Sequence, residues 1–373
     1  MALTFANEHK GILPDRMIAM LAADGAIVQA RPFAADQIQP ASLDLRLGAV
    51  AYRVRASFLP GRTSVAQRIA DLKLHEFSLA DGAVLETGCV YIVPLLESLA
   101  LPKDISAAAN PKSSTGRLDV FTRVIADQTR GFDRVEPGYR GPLYAEISPR
   151  TFPVLVREGS RLSQIRFRHG HAQLTADELR DLHARERLVD DAAADVSEGV
   201  TFSVDLSGSL LSPAAGVDGV VGYRAKRHTG LIDVERRAGY TVLDFWEPIT
   251  ARPDNSLILD PNEFYILASK EAVQVPPGYA AEMVPFDPLV GEFRVHYAGF
   301  FDPGFGYAGA GGTGSRAVLE VRSREVPFIL EHGQIVGRLV YEKMLAKPDT
   351  LYGTGIGSNY QAQSLKLSKH FKA

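Results

Sequence analysis

The chain contains an internal repeat, because a shift of 174 residues aligns its second half with its first. The shift carries Pro102 onto Pro276 and Glu146 onto Glu320. The segments around these positions are similar, as in YAEISPRTFPVLVREG and VLEVRSREVPFILEHG. The 373 residues suit two domains, given about 100–200 residues in a typical domain. We therefore expect two related domains in tandem.

Both halves carry short apolar or alternating segments separated by Gly, Pro, Asp and Asn, such as SLDLRL and EFYILA. Helical spacing is confined to residues 12–26 and 174–190. These patterns predict a mainly β fold with a few short helices, and a sandwich or jelly-roll-like barrel in each half. The predicted domains are residues 1–172 and 201–373, joined by a charged helical connector at 173–200.

Composition excludes several classes of protein. A formal net charge of −3 gives no basic field for nucleic acid. No apolar run reaches about 18 residues and the N-terminus lacks a signal-peptide pattern, so we expect a cytoplasmic protein with no membrane partner. The one cysteine and the absence of HxE or CxxC patterns leave no zinc donor set of the kind that common nucleobase deaminases use.

A short run of small hydroxyl residues, KSSTGR at 112–117, is the first candidate for chemistry. Backbone N–H groups and the hydroxyls of Ser113 and Ser114 can converge on a phosphate, and Arg117 can bind two of its oxygens. At the matching place in the second half, residues 287–291 read DPLVG and carry neither the hydroxyls nor the guanidinium. The alternative is an ordinary Ser/Thr turn with a solvated arginine.

Two carboxylates occupy matched positions inside apolar segments, Glu146 in LYAEI and Glu320 in AVLEV. A carboxylate removed from water is suited to accept and return a proton. The alternative is an outward-facing strand residue, which alternating segments commonly contain.

Pro-Gly turns precede both glutamates, at residues 134–139 (RVEPGY) and 300–305 (FFDPGF). They indicate hairpins first, although the acid and aromatic residue beside each could hold a sugar and stack on a base. The C-terminal segment combines Tyr352, Tyr360 and Gln363 with several glycines. Such a segment resembles a lid that closes over a ligand, and the alternative is a disordered C-terminus.

Jointly, these motifs resemble the bacterial dCTP deaminases of the trimeric dUTPase-like superfamily. The resemblance runs through ILPDRMIAML, PASLDLRLG, KSSTGRL and RVEPGYRGPLYAEI. It keeps the ten-residue step from the acid of the turn, Glu136, to the family's catalytic glutamate, here Glu146. The closing segment also fits, with Tyr360 eight residues after Tyr352 and then Gln363.

The resemblance implies two tandem dUTPase-like modules, each a distorted β-barrel or jelly roll. It implies hydrolytic removal of ammonia from dCTP to give dUTP, a step toward dUMP and dTTP, with no zinc and with Mg²⁺ carried by the triphosphate. Glu146 would be the general base and acid. The other residues expected at the nucleotide are Lys112, Ser113, Ser114, Arg117, Arg134, Glu136, Tyr144, His296, Ala298, Asp302, Tyr352, Tyr360 and Gln363.

The chain departs from the family pattern in being a tandem, since the usual enzyme is one module that trimerises and builds each site between subunits. Extra residues at 127–132 precede the first Pro-Gly turn. The second half, with His296, Ala298 and Asp302, is closer there to the family's base-binding hairpin. The working carboxylate is therefore Glu146 or Glu320, and we favour Glu146 because its hairpin spacing is intact. A homo-oligomer is an arrangement that the resemblance allows.

Two other functions are compatible with these residues. A dUTP pyrophosphatase, or a bifunctional enzyme that makes dUMP, would keep the fold and change the reaction. A non-enzymatic nucleotide sensor would explain why the second half lacks the phosphate-binding loop, but not why the first half keeps it together with Glu146.

Overall fold

The computed structural model describes residues 10–191, 194–209, 217–285, 293–296, 299–310, 314–353 and 365–372, with residues 293–296 described by their backbone. The chain divides into two compact units. Unit 1 is Met1–Ala172 with Leu231–Arg236 and Lys343–Thr350, and unit 2 is Gln173–Gly230, Arg237–Glu342 and Leu351–Ala373. Two short segments of the second half thus belong to the first unit.

Strands dominate both units. In the first 172 residues they are β1 (Gly11–Ile12), β2 (Ile27–Gln29), β3 (Ile38–Gln39), β4 (Ser42–Leu45), β5 (Val50–Val54), β6 (Lys73–Ser78), β7 (Ala83–Leu85), β8 (Val90–Ala100), β9 (Ile105–Pro111), β10 (Val120–Ala126), β11 (Arg134–Val135), β12 (Arg140–Pro149), β13 (Val154–Val156) and β14 (Ser163–His169). After them come β15 (Val200–Ser203), β16 (Val220–Ala225), β17 (Ile232–Asp233), β18 (Trp246–Thr250), β19 (Ser256–Leu259), β20 (Tyr265–Val273), β21 (Tyr279–Pro285), β22 (Phe293–His296), β23 (Phe300–Phe301), β24 (Ser315–Ser323), β25 (Phe328–Glu331) and β26 (Ile335–Lys343). The prediction of a mainly β protein is confirmed.

The helices are short: α1 (Asp15–Ala23), α2 (Val65–Leu72), α3 (Ser113–Gly116), α4 (Ala176–Glu186) and α5 (Val242–Phe245), with a 3-10 turn at Ala308–Ala310. Sequence periodicity predicted α1 and α4 but missed α2. The signal for α2 was present, because Ser64 and Gln67 form a capping box and bond reciprocally at its N-terminus.

Among the described residues, unit 1 contains three sheets. One has the order β11-β9-β14-β4-β3, the second has the order β10-β12-β8-β5-β6, and a small sheet has the order β17-β13-β7. The strand β17 comes from the second half of the sequence and pairs in parallel with β13. Arg157 reinforces this pairing through a two-pronged bond to Asp233, with N–O distances of 2.7 and 2.9 Å.

Unit 2 has sheets of corresponding order, β15-β26-β21-β23, β18-β16-β20-β24-β22 and β19-β25. The two units also pair their strands in the same register around the two strand glutamates. In each unit, four residues on neighbouring strands lie side by side in one row across the sheet: Arg123, Glu146, Ile92 and Tyr52 in unit 1, and His296, Glu320, Ile266 and Tyr223 in unit 2. Each glutamate therefore lies on a strand that is paired on both edges.

Apolar side chains fill the interior of each unit. In unit 1, Leu143 and Val124 belong to one buried cluster, whereas Tyr144 and Ile125 belong to another that also contains side chains of α2. Because neighbouring residues of a strand point to opposite faces, Glu146 lies on the same face of β12 as Tyr144. The second cluster and α2 thus cover the face of the sheet that carries Glu146.

The last described residues of the chain are partly buried. The C-terminal segment has no core-facing period in sequence, yet Leu365, Leu367 and Phe371 are buried in unit 2. The Phe371 ring packs against Phe245 and Trp246 at centroid distances of 5.5 and 5.9 Å. Three apolar residues in eight are too few to show a period, but they are enough to anchor the segment.

Candidate active site

The phosphate-binding loop predicted at residues 112–117 forms the one-turn helix α3, between β9 and β10. Ser113 is exposed, whereas Ser114 and Arg117 are buried. The ammonium group of Lys112 is bonded to the buried carboxylate of Asp44, to which Arg161 also lies close, at 3.5 Å. Cationic groups and a serine hydroxyl therefore come together at the start of β10.

Glu146 lies inside the sheet and is 1% exposed. Its Oε1 accepts hydrogen bonds from both Nε and Nη2 of Arg123, the former at 3.1 Å. Its Oε2 is buried and has no hydrogen-bond partner among the described residues. One carboxylate oxygen is thus fully engaged by an arginine while the other remains available for a proton.

The loop at residues 112–117 and Glu146 are joined by one pair of strands. Strand β10 starts directly after the loop at Val120, which pairs with Pro149, and three residues further on Arg123 pairs with Glu146. At about 3.3 Å per residue, this step spans roughly 10 Å along the strand. Both groups therefore belong to the same strand pair of unit 1.

Tyr144 lies two residues before Glu146 and is buried at 8% exposure. Burial raises the pKa of its phenol, so the hydroxyl is neutral at physiological pH. It packs in the apolar cluster with Ile92 and Ile125, beside which Phe132 also lies. The face of the sheet that carries Glu146 is thus largely apolar.

The turn at residues 134–139 has two exposed site candidates, Arg134 and Glu136. Strand β11 pairs Arg134 with Ala108 of β9, four residues before Lys112. Tyr139 instead supports the hairpin, because its hydroxyl accepts a hydrogen bond from the Asp127 N–H at 3.0 Å and donates one to a backbone carbonyl at 2.7 Å. The aromatic residue of this turn is therefore part of the framework.

In unit 2 the predicted residues are distributed differently. Glu320 is 3% exposed and pairs with His296, which stands where unit 1 has Arg123. Asp302 is 8% exposed, in contrast to the exposed Glu136 of the corresponding turn. Ala298 lies outside the described residues.

Of the closing segment, Tyr352 is described, and Tyr360 and Gln363 lie outside the described residues. The Tyr352 N–H donates to the Pro303 carbonyl at 2.8 Å, and its ring lies 5.8 Å from that of Phe305. Gly304 permits this approach, because a Cβ there would stand 2.8 Å from the Tyr352 carbonyl oxygen. Tyr352 is therefore packed on the Pro-Gly turn of unit 2.

Sequence reasoning missed three residues around Glu146, namely Arg123, Phe132 and Ser57. The Arg123 guanidinium lies 3.3 Å from the Phe132 ring centroid and donates to the Ser57 hydroxyl at 2.9 Å. Phe132 belongs to the extra residues 127–132 that precede the first Pro-Gly turn. An arginine within a β segment, 23 residues before the glutamate, gives no local signal of the pairing.

Comparison with known proteins assigns the chain to a family. Residues 9–171 match the profile of the "2'-deoxycytidine 5'-triphosphate deaminase (DCD) N-terminal domain", and residues 175–371 match that of its C-terminal domain. The chain belongs to the dCTP deaminase family. The resemblance drawn from the motifs is thus confirmed, and the chain is an enzyme that deaminates dCTP.

Solved and curated relatives agree with membership of the dCTP deaminase family. The crystal structure of 2'-deoxycytidine 5'-triphosphate deaminase from Agrobacterium tumefaciens is 63% identical, with a TM-score of 0.88, over 94% of this chain and 100% of that one. A dCTP deaminase of Halorubrum lacusprofundi is 31% identical over 42% of this chain and 76% of its own length. A "dCTP deaminase, dUMP-forming" of Coprothermobacter proteolyticus is 30% identical over 42% and 81%.

The family assignment does not favour the alternative function, a dUTP pyrophosphatase or a bifunctional enzyme that makes dUMP. Among the described residues, no group of three or more His, Cys, Asp or Glu side chains is arranged to hold a metal ion. None of the helices in the described ranges is long and apolar enough to cross a bilayer.

Proposed function

We propose that this dCTP deaminase works by metal-independent hydrolysis that yields dUTP and ammonia, with Glu146 as the proton carrier. The observation that carries the proposal is the state of its carboxylate, with Oε1 held by Arg123 and Oε2 buried without a partner among the described residues. A polar atom in that state is rare unless it serves a reaction or binds something further.

One water molecule supplies both protons that the reaction requires, one for ring nitrogen N3 and one for the departing amine. The water oxygen adds to C4 of the cytosine ring while Oε2 of Glu146 takes one proton and returns it to ring nitrogen N3. The second proton passes from the new hydroxyl to the amine, the C4–N bond breaks, ammonia leaves and the C4 carbonyl forms. Positioned proton transfer of this kind contributes about 10²–10⁴-fold in rate.

The loop at residues 112–117 is proposed to bind the triphosphate. Lys112 and Arg117 supply positive charge, and the hydroxyls of Ser113 and Ser114 with the backbone N–H groups of α3 can donate to phosphate oxygens. Arg134 and Glu136 flank the same edge of β9 and are proposed to contact the sugar. The nucleotide would then be anchored at its charged end.

The metal requirement follows from the donor groups that the chain offers. One cysteine and the absence of HxE, HExxH and CxxC patterns provide no zinc donor set, so zinc is not proposed to activate the water. Mg²⁺ would accompany the triphosphate, because it prefers phosphate oxygens and water to a cage of protein ligands. Dialysis against a zinc chelator, with Mg²⁺ then restored, is expected to leave the activity intact, and a loss reversed by zinc alone would refute this part.

The finer fold is also a proposal, namely two tandem dUTPase-like modules, each a distorted β-barrel or jelly roll. Its support is the corresponding order of the three sheets in the two units and the shared level of Glu146 and Glu320. One duplicated module would explain both. A cytoplasmic location and assembly into a homo-oligomer stay expectations from sequence.

Matched substitutions test which glutamate carries the reaction. Glu146→Gln and Glu320→Gln are each made singly, since the amide keeps the shape of the side chain and removes its ability to take a proton. We expect Glu146→Gln to release no ammonia from dCTP while still binding the nucleotide in calorimetry, and Glu320→Gln to retain most of its activity. The reverse pattern would transfer the role to Glu320.

The products test the reaction itself. Incubation with dCTP is expected to release ammonia and dUTP without pyrophosphate, and incubation with dUTP is expected to leave it unchanged. Pyrophosphate from either nucleotide would instead establish the bifunctional, dUMP-forming reaction.

A further inference from the structure

Arg123, on the edge strand β10, and Glu146, on the neighbouring strand β12, form a cross-strand pair. The two residues stand directly opposite each other on β10 and β12. Nε of Arg123 donates to Oε1 of Glu146 at 3.1 Å, and Nη2 donates to the same oxygen. Both bonds end on Oε1, so the arginine fixes one oxygen and leaves the other out of the pair.

The guanidinium itself is held from several sides. It lies 3.3 Å from the centroid of the Phe132 ring and 4.6 Å from that of Phe121, and Nη2 also donates to the Ser57 hydroxyl at 2.9 Å. Stacking on aromatic faces and two-pronged hydrogen bonding suit the flat guanidinium and not an ammonium group. Arg123 therefore has a fixed position before any ligand binds.

The segment that supplies Phe132 is itself anchored. Within the extra residues 127–132, the Asp127 carboxylate accepts the Val65 N–H at 2.7 Å, at the first residue of α2. The Gln128 N–H donates to the Thr63 carbonyl at 3.2 Å. The insertion is thus tied to the start of α2, and this contact holds Phe132 over the arginine.

The matching level of unit 2 is different. Glu320 pairs there with His296, and the arginine has no counterpart at that position. The two glutamates share a place in the sheet, but the residue directly opposite is an arginine for Glu146 and a histidine for Glu320. The arginine is therefore not a requirement of the sheet.

We propose that Arg123 is a positioning residue for the deamination: it fixes Oε1 of Glu146 and so presents Oε2 as the oxygen that exchanges protons with water and the cytosine ring. This inference rests on the proposed role of Glu146. A carboxylate held at one oxygen keeps the other aimed in a single direction, whereas a free one rotates about its terminal bond. Misplacement of a reacting group by about 1 Å can cost about 10²-fold in rate.

Kinetics of substituted enzymes test the inference. Arg123→Ala is expected to lower kcat for dCTP about 10²-fold with little change in KM, because the loss affects the reacting atoms and not the triphosphate anchor. Added guanidinium ion at millimolar concentration is expected to restore part of kcat by entering the space that the side chain leaves. The kcat of Arg123→Lys is expected to lie between those of Arg123→Ala and the native enzyme, since an ammonium keeps the charge but not the two-pronged contact.

A matched control comes from unit 2, where Arg224 and Glu247 also form a cross-strand pair but an exposed one, at 39% and 52% exposure. Arg224→Ala is expected to leave kcat and KM within about twofold, as for an exposed ion pair of little energetic weight. If Arg123→Ala does not fold, Phe132→Leu serves instead. It keeps the arginine and loosens its stacking, and we expect kcat to fall without a change in KM.

The outcomes separate this inference from the proposed function. If Glu146→Gln is inactive while Arg123→Ala and Phe132→Leu keep kcat within threefold of the native value, Glu146 works without help from Arg123 and the inference is wrong. If Glu146→Gln is active and Glu320→Gln is not, the proposed catalytic role itself fails. A parallel rise in KM in the Arg123 variants would also overturn the positioning role.

Discussion

A second pair of matched glutamates, Glu97 and Glu271, allows a quantitative prediction about stability. The 174-residue shift relates them, and both are buried, at 0% and 6% exposure. Glu97 accepts hydrogen bonds from the Arg46 backbone N–H at 2.8 Å, from Arg46 Nε at 2.7 Å and from the Gln37 amide at 2.8 Å. Glu271 accepts from the Ser203 N–H at 2.7 Å and from its hydroxyl at 2.6 Å.

The same isosteric change is expected to have different costs at the two positions. Glu97→Gln leaves the buried Arg46 guanidinium without its countercharge and places an amide group where a carboxylate accepted hydrogen bonds. Removing one partner of a buried ion pair typically lowers the free energy of unfolding by roughly 3–5 kcal/mol. Two backbone carbonyls still accept hydrogen bonds from the Arg46 guanidinium in this variant. We therefore expect a loss of about 3 kcal/mol in the free energy of unfolding, at the low end of this range. Glu271→Gln should cost about 1 kcal/mol, because the Ser203 hydroxyl can rotate and accept from the new amide.

Guanidinium chloride unfolding followed by two probes measures these costs. The one tryptophan, Trp246, is fully buried in unit 2, so its fluorescence reports on that unit, while circular dichroism reports on the whole chain. We expect Glu97→Gln to lower the circular dichroism midpoint more than Glu271→Gln lowers the fluorescence midpoint. The double change Glu97→Met with Arg46→Met should recover much of the loss, because no unpaired charge remains. Equal losses at both glutamates, or no recovery in the double variant, would refute the argument.

Three further changes have expected outcomes. Burial raises the pKa of Tyr139 to about 12, so the folded protein favours the neutral phenol. The contribution of this preference to the free energy of unfolding is complete below the unfolded pKa of about 10 and is lost as the pH rises toward 12. Tyr139→Phe should therefore cost about 1–2 kcal/mol at pH 8 and flatten the decline in unfolding free energy between pH 10 and 12, as measured by denaturation at each pH. Gly304→Ala should lower the melting temperature, since φ is +99° and the new Cβ would meet the Tyr352 carbonyl. Asp233→Asn should expose β17 to faster hydrogen–deuterium exchange by weakening its bonds to Arg157.

The sequence was sufficient where the information is local or repeated. Short alternating segments between turn residues indicated strands, because side chains on a strand alternate between two faces. The shift that aligns Glu146 with Glu320 agrees with their shared level in corresponding sheets. The family followed from motifs whose spacing the chain preserves, such as the step from Glu136 to Glu146.

The sequence was insufficient where partners lie far apart along the chain. Nothing local pairs Arg157 with Asp233, which are 76 residues apart, or indicates that β17, from the second half of the sequence, completes a sheet of unit 1. The buried C-terminal residues were missed for the same reason, since Phe371 finds its aromatic partners more than a hundred positions earlier.

By itself, then, the sequence determined the repeat, the β-strand content, the family and a short set of candidate residues, because each of these is encoded in composition, spacing or periodicity. Only the tertiary structure decided which side chains surround the candidate residues. Strand pairing sets Arg123 against Glu146, and the insertion folds back to hold Phe132 over the arginine. The physical reason is that register between strands depends on packing of the whole sheet, which no single segment specifies.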